Sequence, residues 1–259
     1  MHTCARARPA VLLSFTLLTA SGGALGGCEG GDVSSFERTI TSTVTLSTER
    51  AFRIDVPVPV EVTGSPLRTS IFADLTFVVT ASTATKARTL AEGINLVVVR
   101  PSPDEAVITV DGPLDVQIVG GLLKISAPPV LGVTIGSSGT VVVRGMERAI
   151  AASSAGSIKI QDAQQDVSAT CRGGNILLDA RLPQGTRLDA STGRGDIELR
   201  LVDRPSLDLE AAAAQGEIVI AHAAFPTPIS ATSYHATVNG GLATARVLTQ
   251  AGRIVIRTR

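Results

Sequence analysis

The 259-residue chain has almost no aromatic side chains: no Trp, one Tyr (Tyr234) and six Phe. Any core must therefore be built from Val, Ile, Leu and Ala. That choice suits strands, where β-branched side chains pack on a pleated surface. Cysteine is scarce as well, with Cys4, Cys28 and Cys171 the complete set. Cys4 falls in an export signal and Cys28 at its processing site, which leaves Cys171 alone. An intramolecular disulfide and a cysteine-based zinc site are both excluded. Net charge is missing too, since 23 Lys and Arg balance 23 Asp and Glu. With no basic patch, nucleic acid is not an expected partner, and an anionic membrane is not an electrostatic one.

What is present begins with an address. Met1 to Pro9 carry Arg6 and Arg8 and no acid, and Ala10 to Ala20 form a short apolar run. Small residues follow, ending in Leu25-Gly26-Gly27-Cys28. A basic start, a short apolar stretch and a small-residue cleavage zone describe a secretory signal over residues 1–27. The apolar run is too short to span a bilayer as a helix. Residues 28–44, opening with Glu29 to Ser35, read as a flexible tether.

The body repeats. A glycine, one variable residue and then apolar-any-apolar recur at Gly121, Gly139, Gly156, Gly174, Gly195, Gly216 and Gly252. The spacings are 18, 17, 18, 21, 21 and 36. A second pattern, apolar-any-small, leads most of these at Ile150, Val167, Leu188, Leu209, Ile229 and Val247. Ile229 predicts one more corner near Ala236, which divides the long gap. Apolar-any-apolar is the period of a strand, and the glycine supplies the bend before it. One such unit cannot bury its apolar face alone, so successive units are expected to stack. The fold class read from this pattern is all-β: a single-domain β-solenoid with rungs of about 16–21 residues over 116–259. A meander or sandwich with turns at glycine is the rival.

Residues 45–115 are less regular and read as a strand cap or first rungs. Phe52, Ile54, Val56, Val58, Val60 and Val62 alternate, with Pro57 and Pro59 between them. Proline cannot donate to a ladder, so an edge strand is expected there. Residues 81–92 read as a loop or one short helix.

Two resemblances add to this reading. Leu25-Gly26-Gly27-Cys28 resembles the bacterial lipobox, which implies cleavage before Cys28 and lipidation of that cysteine. By the sorting rule of enteric bacteria, Glu29 rather than Asp after the cysteine implies the outer membrane or its periplasmic face, with the cell surface as the alternative. Val167–Leu178 and Leu188–Leu199 resemble the repeats of the bacterial putative-adhesin β-strand-repeat family. That resemblance covers about residues 93–259. It implies a β-solenoid body on an envelope protein and says little about activity.

Catalysis needs convergent groups, and few are available. His222 and His235 are the only histidines after the signal and read as surface residues. Asp196 and Glu217 share the slot after a corner glycine. Stacked in adjacent rungs they would offer a Ca²⁺ site or an acid–base pair, but polar decoration of a corner is the plainer reading. A sugar-cleaving β-helix would also want aromatic platforms that this chain lacks. Cys171 reads as a small core residue. Arg194-Gly195-Asp196 spells a cell-binding tripeptide, which the repeat itself explains. No cofactor and no small-molecule substrate are expected. The expected partners are the membrane, through lipid on Cys28, and a protein or surface polymer. The sequence thus points to an envelope-anchored lipoprotein presenting a non-catalytic surface for adhesion, scaffolding or protein interaction. A carbohydrate-active lyase or hydrolase and an envelope signalling component are the alternatives.

Overall fold

A computed structural model describes residues 33–113, 118–148, 150–228 and 230–259. The signal, Leu25, Gly26, Gly27, Cys28 and Ile229 lie outside the described residues. Twenty strands and one helix are described. The first part holds β1 (Ser34–Thr45), β2 (Ala51–Val56), β3 (Val60–Gly64), β4 (Ser70–Ala81), α1 (Ala84–Glu92), β5 (Asn95–Ser102), β6 (Glu105–Asp111) and β7 (Ile118–Ala127). The second holds β8 (Gly132–Ser137), β9 (Val141–Arg144), β10 (Ile150–Ser154), β11 (Ile158–Ala163), β12 (Val167–Cys171) and β13 (Ile176–Ala180). It continues with β14 (Arg187–Arg194), β15 (Ile197–Leu201), β16 (Leu207–Gln215), β17 (Ile218–Ala221), β18 (Ser233–Val238), β19 (Ala243–Ala251) and β20 (Ile254–Thr258).

The strands form two ten-stranded, mostly parallel sheets. One, here sheet A, runs β1-β4-β7-β3-β9-β11-β13-β15-β20-β17; the other, sheet B, runs β18-β16-β19-β14-β12-β10-β8-β2-β6-β5. Period-2 alternation sends every second side chain inward, and the inward residues of both sheets join in one core. The repeating element is a two-strand unit, a sheet B strand followed through a corner by a sheet A strand. Val133, Ile150, Val167 and Leu188 align across one sheet, and Val141, Ile158, Ile176 and Ile197 across the other.

The order of units departs from the order of the chain at both ends. The first unit, β2–β3, sits between β6–β7 and β8–β9. The last, β19–β20, sits between β14–β15 and β16–β17. The aliphatic column therefore runs Ile158, Ile176, Ile197, Ile254, Ile218. Ile218 does not follow Ile197 in space as it does in sequence.

Antiparallel strands finish the stack. β1 pairs with β4 over twelve residues without a shift, and β4 pairs with β7 over eight, with a shift between Val78 and Val79. β5 closes sheet B on β6, and β18 closes its other end on β16. Helix α1 begins at Thr83, whose side chain accepts from the Lys86 amide at 3.2 Å, and buries Ala87 and Ala91. Arg38 of β1 donates to the carbonyls of Ala91 and Ile94 at 2.6 and 3.0 Å, fastening the helix C-terminus to sheet A.

Four expectations change. Ser34 to Val44, expected as tether, belong to β1: Ile40 and Val44 are buried, so the Thr-rich run has an inward apolar face. Phe52 to Val62 is two strands joined at Pro57–Pro59, and it lies inside the stack, not at an edge. The prolines fall at the corner, where no ladder donor is required. Gly121 lies within β7, not at a corner, because that strand extends antiparallel along β4. A Cβ there would meet Val58 and the Thr76 carbonyl at 3.0 Å. Ala236 lies in the middle of β18 opposite Leu209, so the expected corner is an antiparallel cap strand.

Candidate functional surface

The corners are the most regular feature that the sequence exposes. Gly139, Gly156, Gly174, Gly195, Gly252 and Gly216 form a column in that spatial order. At Gly195, φ is +135°, and an added Cβ would overlap the Gly174 carbonyl. The successive backbones approach too closely for any side chain, which is why the same residue recurs.

Beside this column runs a second one that sequence reading missed. Ser137, Ser154, Cys171, Thr192 and Thr249 align across sheet B. Each lies two or three positions before its corner glycine. Ser137 Oγ donates to the Val58 carbonyl at 2.7 Å and accepts from the Gly139 amide at 3.0 Å. Ser154 donates to the Gly139 carbonyl and accepts from the Gly156 amide. Thr192 and Thr249 donate to the carbonyls of Gly174 and Gly195, each at 3.1 Å. Cys171 Sγ occupies the same place, 3.2 Å from the Gly174 carbonyl and 3.1 Å from Thr192 Oγ1. These side chains satisfy corner groups that the ladders leave open. The signal was a recurrent Ser, Thr or Cys two or three residues ahead of glycine. Cys171 is buried, as the sequence implied.

The residues after the glycines form a third column, and its order decides the chemistry. The Asn175 amide donates to Ser157 Oγ, the Asp196 amide to Asn175 Oδ1, and the Arg253 amide to Asp196 Oδ1 at 2.7 Å. Asp196 and Glu217 are not adjacent. The inserted unit places Arg253 between them, with its Nη1 3.8 Å from Glu217 Oε1. The stacked-carboxylate site foreseen from sequence is therefore not formed. Among the described residues no three His, Cys, Asp or Glu side chains converge at metal-binding range. Arg194, Gly195 and Asp196 are corner residues, as the repeat predicts.

The two histidines differ. His222 is buried, not at the surface: Nε2 lies 2.8 Å from the Val202 carbonyl, and Nδ1 accepts from the Ala224 amide at 3.2 Å. Its ring meets Phe225 edge to face, and Tyr234 donates to the Pro226 carbonyl nearby. Burial raises the Tyr234 pKa above its ordinary value. His235 is exposed, with Nε2 2.9 Å from Asp208 Oδ1. Asp208 also accepts from Thr237 Oγ1 at 2.8 Å, and the Thr237 and His235 contacts lower its pKa. A nucleophilic relay needs the imidazole between hydroxyl and carboxylate; here the carboxylate stands in the middle.

Other charges are paired in ways that hold strands together. Arg200 and Arg257, neighbours across β15 and β20, both contact Glu198. Burial works to raise the Glu198 pKa, but the two guanidinium groups hold it below the ordinary range. Arg259 contacts Asp162 and lies 3.0 Å from Asp179, a charge contact lacking hydrogen-bond alignment.

A groove of about 690 Å³ lies on the outer face of β1, β4 and β7. Gly120 has no atom within 4 Å of where a Cβ would project, and it lowers the floor beside Val78 and Leu122. Thr39, Thr41 and Thr76 add hydroxyls, with Thr39 and Thr76 oxygens 3.0 Å apart. Glu37, Asp74 and Lys124 form the rim, and Asp74 is in register with Lys124. The groove is open and has a mixed apolar and hydroxyl floor, which suits it to hold an extended ligand.

No protein-family model matches this chain, and no curated protein matches it. Solved structures do. A "putative cell adhesion protein" from Clostridium sporogenes is 10% identical with a TM-score of 0.49, over 86% of this chain and 100% of that one. A "putative adhesin" from Bacteroides fragilis is 14% identical with a TM-score of 0.45, over 85% and 97%. A "putative lipid binding protein" from Parabacteroides distasonis is 10% identical with a TM-score of 0.34, over 85% and 95%.

Proposed function

We propose that this chain is an exported lipoprotein, anchored through Cys28, whose stacked two-strand units form a β-solenoid that presents a non-catalytic binding surface at the cell envelope. The groove across β1, β4 and β7 is the observation that carries the binding role. Its floor of Val78, Leu122 and threonine methyls offers apolar contact, and its rim offers hydroxyls and one Lys–Asp pair. The ligand class is an extended protein segment or surface polymer. The separation of Asp196 from Glu217 by Arg253 supports binding over sugar cleavage.

Full-length protein purified from envelopes, with Gly120→Lys and Leu122→Asp variants, tests this role. Capture of an envelope component by the wild type and at least a tenfold weaker capture by both variants, with unchanged Tm, is the expected result. Equal capture by all three removes the groove from the function. Radioactive palmitate should label the wild type and not Cys28→Ala; equal label in both refutes the anchor.

A further inference from the structure

The two sheets end in the strands β1, β17, β18 and β5. An edge strand carries a row of unpaired backbone groups, which chains blunt by shortness, proline, bulges or cover. β17 has four residues, and its Ile218 amide donates to the Ala231 carbonyl at 2.8 Å. β18 has six residues. β5 contains Pro101 and breaks register between Val99 and Ser102. β1 has none of these devices. It runs for twelve residues without proline or a register shift, and among the described residues it pairs with β4 alone.

The registers show which groups of β1 are free. The Leu123 amide of β7 donates to the Pro59 carbonyl, so Leu123 turns its backbone toward β3 and away from β4. Leu75 of β4, aligned with Leu123, therefore turns its own toward β1, where it aligns with Ile40. Backbone groups alternate in direction along a strand. The even-numbered residues of β1 thus serve β4. Ser35, Glu37, Thr39, Thr41 and Thr43 point their N–H and C=O groups out from the sheet edge. Thr45 fits the same alternation, since its carbonyl is taken by Arg100 of β5 at 2.7 Å.

We propose that β1 takes up an extended segment of a partner protein as one more antiparallel strand of sheet A. Alternating donors and acceptors repeating about every 6.8 Å are matched by another extended backbone, which is how strand addition gains affinity. The side chains of β1 narrow the partner's sequence. Glu37 faces Val78 on β4 and makes no ion pair among the described residues. Arg38 is turned inward to the carbonyls of Ala91 and Ile94. The incoming segment therefore carries Lys or Arg opposite Glu37, with threonine-like residues opposite Thr39, Thr41 and Thr43. The site is the free edge of β1, which β4 separates from Gly120 and Leu122 of β7. It stands whether or not the groove binds.

A labelled, end-capped peptide, Thr-Val-Thr-Val-Thr-Val-Lys-Val-Thr, is the probe, added to the full-length protein and followed by fluorescence anisotropy. In the antiparallel alignment its Thr and Lys amides face β1 and its Val amides face away. N-methylation of the Thr and Lys amides should weaken binding at least tenfold. N-methylation of the Val amides should leave it within about threefold. Equal weakening by the two methylation patterns overturns the proposal. So does a parent peptide that shows no saturable binding, as when a second copy of the chain already holds the edge. Glu37→Lys should invert the preference between the Lys peptide and the same peptide with Glu in that place. A preference that does not invert also overturns it.

Discussion

At the scale of single residues, Glu49 and the corner glycines show how few side chains hold specific places. The Glu49 side chain is almost fully buried and accepts from the Ser47 amide at 2.6 Å, the Thr48 amide at 3.1 Å and Arg100 Nε at 2.5 Å. Arg100 also donates to the Thr45 carbonyl, so the pair joins the β1–β2 turn to β5. Burial alone would raise the Glu49 pKa, but Arg100 and the amide donors lower it from 4.5 to about 2. A depressed carboxylate pKa contributes stability above the unfolded value, and that contribution is lost as pH falls from 4.5 toward 2. Glu49→Gln should therefore cost about 2–3 kcal/mol at pH 7. Urea unfolding at pH 7 and near pH 2 should show the gap between wild type and variant closing at the acid end. The glycines give a sharper contrast. Gly195→Ala forces a Cβ into the Gly174 carbonyl at positive φ and should cost upwards of about 2 kcal/mol. Gly173→Ala meets nothing within 4 Å and should be close to neutral in the same thermal melts.

At the scale of elements, the repeat was legible because each corner needs the same residue and each strand the same alternation. The stacked glycines demand Gly at Gly139, Gly156, Gly174, Gly195, Gly216 and Gly252, and the sequence supplies it. The order of the units was not legible, because their inward faces are chemically interchangeable: Ile254 and Ile218 would each fit against Ile197. Ala236 was misread for a related reason, since an antiparallel cap strand alternates just as a unit strand does. The candidate acids failed with the order, once Arg253 stood between Asp196 and Glu217. The hydroxyl column was written in the sequence but is recognisable only when the corner carbonyls it serves are placed. A double-mutant cycle reads the order directly. Ile197→Ala should cost about 2–5 kcal/mol. Ile197 and Ile254 should couple by about 0.5 kcal/mol or more, as should Ile254 and Ile218, whereas Ile197 and Ile218 should add within about 0.5 kcal/mol. Coupling of Ile197 to Ile218 in place of Ile254 would mean that units stack in chain order.

At the scale of the whole molecule, the registers fix which side faces the proposed anchor. β7 runs parallel to β3, and its residue Leu123 aligns with Val60, just past the Pro57–Pro59 corner. β7 begins five residues earlier, so with β4 and β1 it projects beyond the corner side of the stack. β1 starts at the tip of that projection, with Ser34 opposite Ala81. Helix α1 crosses between the sheets at the same side, carrying exposed Lys86 and Arg88. Five residues of chain reach at most about 17 Å, so lipid on Cys28 would hold Val33 within that distance of the bilayer. The opposite side carries the β3–β4 connection with Leu67, which stays within sheet A, and the β7–β8 connection from sheet A to sheet B with Val130; the two residues are 93% and 53% exposed. Val119 is 60% exposed on the projecting side. Single cysteines at positions 67, 119 and 130, each bearing a fluorophore in the lipidated protein on vesicles, should separate the two sides. Quenching by lipid-borne bromine should be strong at 119 and weak at 67 and 130. The reverse pattern would place the connections against the membrane and leave the corner side outward. Cys28→Ala should abolish quenching at all three, because attachment then lacks the acyl chains, whose buried CH₂ groups contribute about 0.8 kcal/mol each.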